Sequence, residues 1–490
     1  MLKPASVRLA VLLITAASAW VLSPSHFSRT TALRSTSPEN NNDTTTSPRR
    51  RAMMELAIAA AGLTLTYAGT KEIQPTDYGL WGILPVGTYK SKKTIRETIV
   101  PDQIWTFDQK FGILDVQVPL RMTIIKRKNG LFVYNPIAAT PECLQLVQEL
   151  VEQHGPIRDI VVGSVALEHK VYAGVFAQKF PQARVWLTPG QYSFPVNLPD
   201  PYLGFPARRT RTVPRSLSEA PADWNEDLDV CVLGPIISRD GAFGETVILH
   251  KPTRTLLVTD TAVQVTDEIP AIYETDPAPL LYHARDTVTD VVTETPETLK
   301  KGWKRVVLFG LFFMPSAITI KDVGTALNER RPDINSDFAG VYPWDWVGDE
   351  EASWKGLTGT APGGKPLVAP ILQTLLLNRS PVEVLDFADQ VATWEFQRII
   401  PAHLKNNLQF GPKDYRGAFG FLEESGVPQG FPKPLKADLQ ALLDAEVALV
   451  ASGAIVPAPP KVGGKFSRAE ILAQTSYKCR ANVCSAQSQP

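Results

Sequence analysis

The stretch Gly163–Gly174, GSVALEHKVYAG, places an acid beside an imidazole, Glu168 and His169, directly after an apolar run. That run, Ile157–Gly163 (IRDIVVG), has the apolar character of a buried strand. Only six histidines occur among the 490 residues, and 20% of the chain is charged. The pair is open to two interpretations, a polar loop or half of a metal site, and partners at other strand ends would favour the second.

Two further predicted strands end in titratable residues. Asp260 closes the run RTLLVTD, and His403 closes the run FQRIIPAH. Ligands of α/β sheets gather outside the carboxyl ends of strands, and two imidazole nitrogens with two carboxylate oxygens suit a divalent cation. An aspartate at a strand end is by itself more often a cap or turn residue. The combination predicts a metal site of Glu168, His169, Asp260 and His403, with structural hydrogen bonding among these residues as the alternative.

The segments around this stretch alternate between strand and helix character. Phe111–Ile137 contains two apolar runs broken at Asn129-Gly130, which is a strong signal for a two-residue hairpin. Thr140–Gly155 has Leu and Val at helical spacing, a threonine as N-cap and a glycine at its end. Lys170–Gln182 is typical of a second helix and Ala183–Gly190 of another strand. This order predicts an α/β fold with helices layered over a sheet.

The later part of the chain continues the pattern and interrupts it once. Asp227–Ile237 is typical of a strand, and Gly244–Asp260 of a hairpin that turns at Lys251–Arg254. The block Asp286–Pro366 is predicted to form helices that are inserted before the last strand. Within it, Val306–Ile318 is apolar but too short to span a membrane, so it is predicted to be one buried helix.

Composition excludes several classes of function. Fifty basic and fifty acidic residues cancel, so no overall field attracts nucleic acid or an acidic lipid surface. A hydrophobic content of 44% is ordinary for a globular protein. Four cysteines do not form a disulfide scaffold. Cys143 and Cys231 lie in apolar segments and are predicted to be buried thiols, whereas Cys479 and Cys484 are open between a redox pair and no role.

The N-terminal region has the pattern of a leader. Residues 1–19 have the basic start and apolar core of a signal peptide, and residues 20–51 have the composition of a transit peptide. The join Ala17–Pro24 (ASAWVLSP) resembles the cleavage motif of algal plastids of secondary origin, so we expect plastid import, to stroma or thylakoid lumen. A secreted protein with a disordered linker is the alternative. Residues 52–70 form an apolar segment, a thylakoid signal or a membrane-docking helix, and 71–110 an N-terminal extension.

The order of these strand-end residues resembles the metallo-β-lactamase superfamily, whose ligands follow the same succession of strands. The superfamily's first motif, His-x-His-x-Asp-His, falls on Ser164, Ala166, Glu168 and His169. A further histidine position falls near Ala242, and the bridging aspartate and last histidine fall on Asp260 and His403. Sequence segments such as RMTIIKRKNGLFVYNPI also resemble those of a cyanobacterial and plastid domain family of unknown function within that superfamily.

The resemblance implies a metallo-β-lactamase-like αββα sandwich with helical insertions over residues 111–410, the insertion at about 286–366, and a C-terminal extension at 411–490. The three absent histidines belong to one half of a two-metal site, whereas the other half is complete. This implies a mononuclear metal-dependent hydrolase that binds one divalent cation, zinc or iron or manganese. A lactamase-like scaffold or binding protein in the plastid, without catalysis and without an ion, is the alternative.

The interpretation as a metal-dependent hydrolase also predicts which partners the protein has. A small-molecule substrate, an ester or a phosphoester, is expected, with no nucleic acid and no transmembrane span in the mature protein; peripheral membrane contact is left open. Arg208, Arg209 and Arg211 are open between an anion site and a solvated loop. His250 is predicted at an exposed strand end, where it is the best spare ligand, and His283 in a loop or at a helix start.

Overall fold

A computed structural model describes residues 92–113, 116–192, 199–215, 218–238, 241–334, 340–423 and 425–459. The predicted leader, residues 1–70, and the pair Cys479 and Cys484 lie outside the described residues. Plastid import therefore stays a prediction from the sequence. Cys143 and Cys231 are buried, as predicted.

The first sheet has seven strands in sequence order: β1 Ile95–Val100, β2 Ile104–Ile113, β3 Val116–Arg127, β4 Gly130–Tyr134, β5 Ile157–Val162, β6 Arg184–Leu187 and β7 Thr210–Thr212. Strands β1 to β4 pair antiparallel, and β4 to β7 pair parallel. Arg127 pairs with Gly130 across the predicted two-residue turn, which confirms that hairpin. The sheet begins at Ile95, ahead of the boundary expected at residue 111.

The second sheet has four strands, and a separate pair lies in the region expected to be a helical insertion. The strands are β8 Leu228–Ser238, β9 Gly241–His250, β10 Thr255–Leu257, β11 Ile318–Ile320, β12 Trp344–Trp346 and β13 Arg398–Ile400. The four-stranded order is β13-β10-β9-β8, and β11 pairs with β12 alone. β10 runs antiparallel to β9, as the hairpin signal predicts, and parallel to β13. Asp260 and His403 therefore follow neighbouring parallel strands at the same sheet edge.

Helices cover the outer faces of both sheets. Those of the described residues are α1 Pro141–His154, α2 Leu167–Lys170, α3 Ala173–Lys179, α4 Ala278–His283, α5 Pro296–Phe312, α6 Val323–Asn328, α7 Glu350–Thr358, α8 Pro370–Leu375, α9 Pro381–Ala392, α10 Pro412–Gly417 and α11 Gln440–Ala451. Thr140 caps α1 by accepting a hydrogen bond from the Cys143 amide, and Gly155 ends it at φ 91°, as predicted. The helix predicted over Lys170–Gln182 is shorter, α3 Ala173–Lys179, and α2 Leu167–Lys170 precedes it as a separate helix.

Alternation along the strands explains the layers. In β4, Phe132 and Tyr134 are buried in the core between the two sheets, where Ile248 and Leu257 of the second sheet join them. Leu131 and Val133 of the same strand point the other way, into the core under α1 and α3. Successive side chains of a strand face opposite sides, and each fully buried apolar side chain contributes about 1.5–3 kcal/mol. The predicted αββα sandwich is confirmed.

The prediction of one buried helix over Val306–Ile318 is wrong at its end. Helix α5 stops at Phe312, because Phe313 has φ 60°, and Ile318 begins β11. The apolar run is divided between a helix, a turn and a strand: the helix and the strand pack in the aromatic core with Trp303 and Trp344, whereas Phe313 and Met314 of the turn pack against the core of the second sheet. No helix in the described ranges combines the length and hydropathy needed to cross a bilayer.

Two histidines are placed differently from the prediction. His250 is only 2% exposed, because β9 is flanked by β8 and β10, and its Nδ1 lies 2.7 Å from the Thr253 hydroxyl. It is therefore a buried structural residue. His283 ends α4 instead of starting a helix, and it is fully buried in a stack against Trp344. Neither histidine belongs to the predicted metal cluster.

Replacement of His250 by asparagine is expected to flatten the loss of stability in acid. Burial lowers the pKa of His250 from 6.5 to about 4, so the folded protein keeps it neutral while the unfolded chain protonates. Its stabilising contribution is present above pH 6.5 and is lost as pH falls towards 4, by about 2 kcal/mol at pH 5. Urea unfolding at pH 7.5 and pH 5 should show a smaller difference for His250→Asn than for the parent. Equal differences would contradict this role.

Candidate metal centre

The stretch Gly163–Gly174 crosses from the first sheet to the second. After β5, the Val165 amide donates to the Gly244 carbonyl, and the Thr246 amide donates to the Gly163 carbonyl. A Cβ on Gly163 would lie 2.4 Å from the Tyr134 hydroxyl, so only glycine passes this point. The chain then forms α2, which holds Glu168 and His169 at the ends of the central strands.

Glu245 holds the turn that carries Asp260. Its carboxylate is fully buried in β9 and accepts hydrogen bonds from the amides of Thr259, Asp260 and Thr261, at 2.8–2.9 Å, and from the Thr261 hydroxyl, at 2.7 Å. Burial and the Asp260 charge raise the pKa of Glu245, whereas the four hydrogen-bond donors favour its ionised form. The contacts fix the backbone from which the Asp260 side chain projects.

Strand β3 holds the turn that carries His403. The Arg121 amide donates to the Ala402 carbonyl, and the Arg121 guanidinium, paired with Asp108, donates to the carbonyls of Pro401 and Leu404. His403 Nδ1 lies 2.9 Å from the Pro119 carbonyl. A carbonyl only accepts, so Nδ1 carries a proton, and in the neutral imidazole the lone pair is on Nε2, which faces the cluster.

Three ligand-type atoms form a nearly equilateral triangle. His403 Nε2 lies 3.2 Å from His169 Nε2, and both nitrogens lie 3.3 Å from Asp260 Oδ1. Atoms that bind a tetrahedral cation at 2.0–2.1 Å are about 3.3 Å apart, so these separations match one face of such a site. An oxygen of Glu168 joins them, and the four atoms lie within 4.8 Å of one another. All four predicted site residues are brought together.

The electrostatics of the cluster suit a cation. Glu168 Oε2 and His169 Nδ1 are buried without a hydrogen-bond partner among the described residues. Burial raises the pKa of Glu168. Burial also acts to raise the pKa of Asp260, but His169 and His403 hold it well below its usual range. Two buried carboxylates with one unpartnered oxygen need positive charge nearby, and a divalent cation supplies it. The donor set therefore fits a metal ion.

The positions that lack the superfamily's histidines have other roles. Ser164 donates from Oγ to Asp260 Oδ2 at 3.0 Å, which leaves Oδ1 to the imidazoles. Ala166 and Ala242 line a cavity of about 230 Å³ next to the cluster. Where the two-metal site would have its absent histidines, this protein therefore has one hydroxyl contact, from Ser164, and apolar side chains, those of Ala166 and Ala242.

The arginines after Leu203 do not form part of this centre. Arg209 donates to the carbonyls of Ala177, Phe180 and Ala183, and so ties β7 to the end of α3. Its guanidinium has a structural role, and the anion-site interpretation is wrong for this residue. Arg208 and Arg211 are exposed and do not line the cavity.

Glu245 and Arg121 are the site residues that the sequence interpretation missed. Each is a charged residue inside an otherwise apolar strand, in GETVILH and PLRMTII. A charge that points into the core is rarely buried without a partner. A charge within an apolar strand would therefore have indicated both residues from the sequence, although not the turns that they hold.

Fold and cluster together define an αββα sandwich protein with a candidate metal centre at the ends of its strands. The chain belongs to the family described as Domain of unknown function (DUF4336), whose model matches residues 101–421. No curated protein is significantly similar to it in sequence.

Among solved structures, similarity extends to two groups. A metal-soaked flavodiiron core from Synechocystis sp. PCC6803 is 10% identical over 67% of this chain and 60% of that chain, with a TM-score of 0.33. The mono-zinc form of the FIM-1 metallo-β-lactamase from Pseudomonas aeruginosa is 15% identical over 45% of this chain and 82% of that chain, with a TM-score of 0.27.

Proposed function

We propose that the protein binds one divalent cation through Glu168, His169, Asp260 and His403 and is a metal-dependent hydrolase of a small molecule. The observation that supports this most is the triangle of His169 Nε2, His403 Nε2 and Asp260 Oδ1, whose edges are 3.2–3.3 Å. Two imidazoles and two carboxylates suit zinc, iron or manganese. The leader predicted over residues 1–70 makes a plastid the expected compartment.

A cation held there supplies Lewis acidity and lowers the pKa of a bound water to near neutrality. The chain's own residues pre-organise the centre. Pro119 fixes the His403 tautomer, Ser164 orients the Asp260 carboxylate, and Glu245 fixes the backbone of Asp260. Such outer partners typically contribute 10–100-fold to metal affinity or activity. The adjoining cavity gives a substrate a place next to the ligand atoms.

Hydrolysis that depends on the cation tests this function. Chelated protein, reconstituted with one equivalent of zinc or manganese, should hydrolyse at least one class of chromogenic ester, and chelation should abolish the turnover. His169→Ala should be inactive under the same conditions, because it removes one vertex of the triangle. Protein that retains the cation and hydrolyses no ester or phosphoester probe would contradict the hydrolase function.

A further inference from the structure

The cavity beside the cluster has a sharply divided lining. Eighteen of its 21 lining residues are apolar or glycine. The three polar residues, Glu168, Asp260 and His403, belong to the cluster itself. The apolar wall comes from β2, β3 and β9, from α5 and its end, from the start of α8, and from the segments that precede α2 and that follow β10 and His403. A molecule in this space meets polar groups at one end only.

The volume indicates the size of that molecule. An apolar cavity of about 150 Å³ stays dry and accepts benzene, because water finds no hydrogen-bond partners there. This cavity is about 230 Å³, so it suits an apolar occupant on the order of eight to ten carbons. Each buried methylene contributes about fourfold in affinity.

The charges of the lining disfavour a phosphorylated ligand. Phosphate groups are recognised chiefly by arginine and lysine side chains. Among the described residues that line the cavity there is no arginine or lysine, and its two charged side chains are the carboxylates Glu168 and Asp260. A neutral carbonyl group fits this end better than a phosphodianion does.

Half-buried apolar residues form the outer part of the cavity. They include Val116, Leu311 and Ile371, together with Phe313. Phe313 has φ 60°, a conformation that a bulky residue seldom adopts and that persists where the surrounding structure imposes it, often at ligand sites. The strained Phe313 backbone therefore lies in the cavity wall.

We propose that this cavity receives the acyl chain of a medium-chain carboxylic ester of about eight to ten carbons, with its carbonyl at the cluster. This substrate class rests on the proposed hydrolase function. In the reaction, the bond between the acyl carbon and the alcohol oxygen breaks, and a bond from that carbon to the oxygen of water forms. A proton of the water leaves with the alcohol, so a carboxylic acid and an alcohol result and nothing is oxidised.

Gly310 of α5 permits a direct test. A Cβ placed there lies 3.7 Å from Val116 Cγ1 and 3.8 Å from Val118 Cγ1, both in the cavity wall, so larger side chains fill the cavity without disturbing the backbone. Alanine and leucine are better helix formers than glycine, so both variants should fold. Glu297→Leu, at the exposed start of the same helix, adds the same leucine side chain outside the cavity.

The experiment compares p-nitrophenyl octanoate, p-nitrophenyl acetate and p-nitrophenyl phosphate on the metal-reconstituted full chain. The parent should favour octanoate over acetate in kcat/KM by at least about a hundredfold, given six additional methylenes. Gly310→Leu should lower that ratio at least tenfold, Gly310→Ala should lower it less, and Glu297→Leu should keep the parent ratio. A parent without chain preference, or an unchanged ratio in Gly310→Leu, would overturn the proposal.

Calorimetric titration with octanoic acid separates this proposal from the hydrolase function. If the parent binds octanoic acid, Gly310→Leu does not, and no ester is hydrolysed, the apolar cavity site is supported and the hydrolase function fails. If the parent hydrolyses acetate or phosphate probes but neither binds octanoic acid nor prefers octanoate, the hydrolase function stands and the acyl site is wrong.

Discussion

His403→Ala is expected to lose metal retention entirely, and His169→Ala likewise. Each substitution removes one vertex of a triangle whose edges are 3.2–3.3 Å. Loss of an outer partner already costs about 10–100-fold in metal affinity, so loss of a ligand should cost more. The carboxylates of Glu168 and Asp260 then face each other without a cation. We expect a loss of about 3–5 kcal/mol in the free energy of unfolding, the scale for an unpaired buried charge.

Metal content after dialysis and thermal unfolding with and without chelator measure these effects. Chelation should lower the melting temperature of the parent and leave that of the two ligand variants unchanged. His250→Ala is the matched control, since it also removes a buried imidazole but lies outside the cluster. It should keep its metal. If His250→Ala loses metal and His403→Ala retains it, the centre has been assigned to the wrong residues.

Glu245→Gln is expected to destabilise the protein by about 3–5 kcal/mol. The carboxylate accepts from three amides and one hydroxyl, and a glutamine would turn its own amide hydrogens towards some of these donors. The Asp260 turn would relax, so metal affinity should fall as well. Urea unfolding and metal titration measure the two effects.

Glu152→Gln, on the exposed face of α1, is the matched control for this change and should shift the free energy of unfolding by about 0.5 kcal/mol or less. Glu245→Gln protein that unfolds within 1 kcal/mol of the parent, roughly the error of such measurements, and binds metal normally would show that the four hydrogen bonds do not hold the turn.

Local patterns made the strands and the cluster predictable. The Asn129-Gly130 turn, the Thr140 cap and the apolar runs are signals within a few residues of one another, and they produced the observed hairpin, helix and strands. Glu168, Asp260 and His403 could be proposed together because each follows a strand: Asp260 and His403 follow neighbouring parallel strands of the second sheet, and Glu168 follows β5 of the first sheet. Two arguments sufficed to predict that they lie together: ligands gather at the carboxyl ends of strands, and the order of these residues resembles that of the superfamily's motifs.

The supporting contacts depended on pairings that no local pattern encodes. Arg121 reaches Pro401, which is 280 residues away in sequence, and Glu245 reaches the Asp260 turn only because β9 and β10 pair in one register. His250 seemed exposed because it stands at a hairpin corner, but its strand has a neighbour on each side. The cavity is formed by segments that are far apart in the chain, among them parts of β2, β3, β9, α5 and α8.

The number of metal ions per chain tests the central claim most directly. The experiment uses protein that begins at residue 92, purified without chelator, loaded with zinc and then dialysed. It should contain about one equivalent of zinc by elemental analysis, because the described residues hold one cluster of suitable side chains. The His403→Ala variant prepared in parallel should contain none. Two tightly held equivalents in the parent, or none, would contradict a mononuclear centre at Glu168, His169, Asp260 and His403.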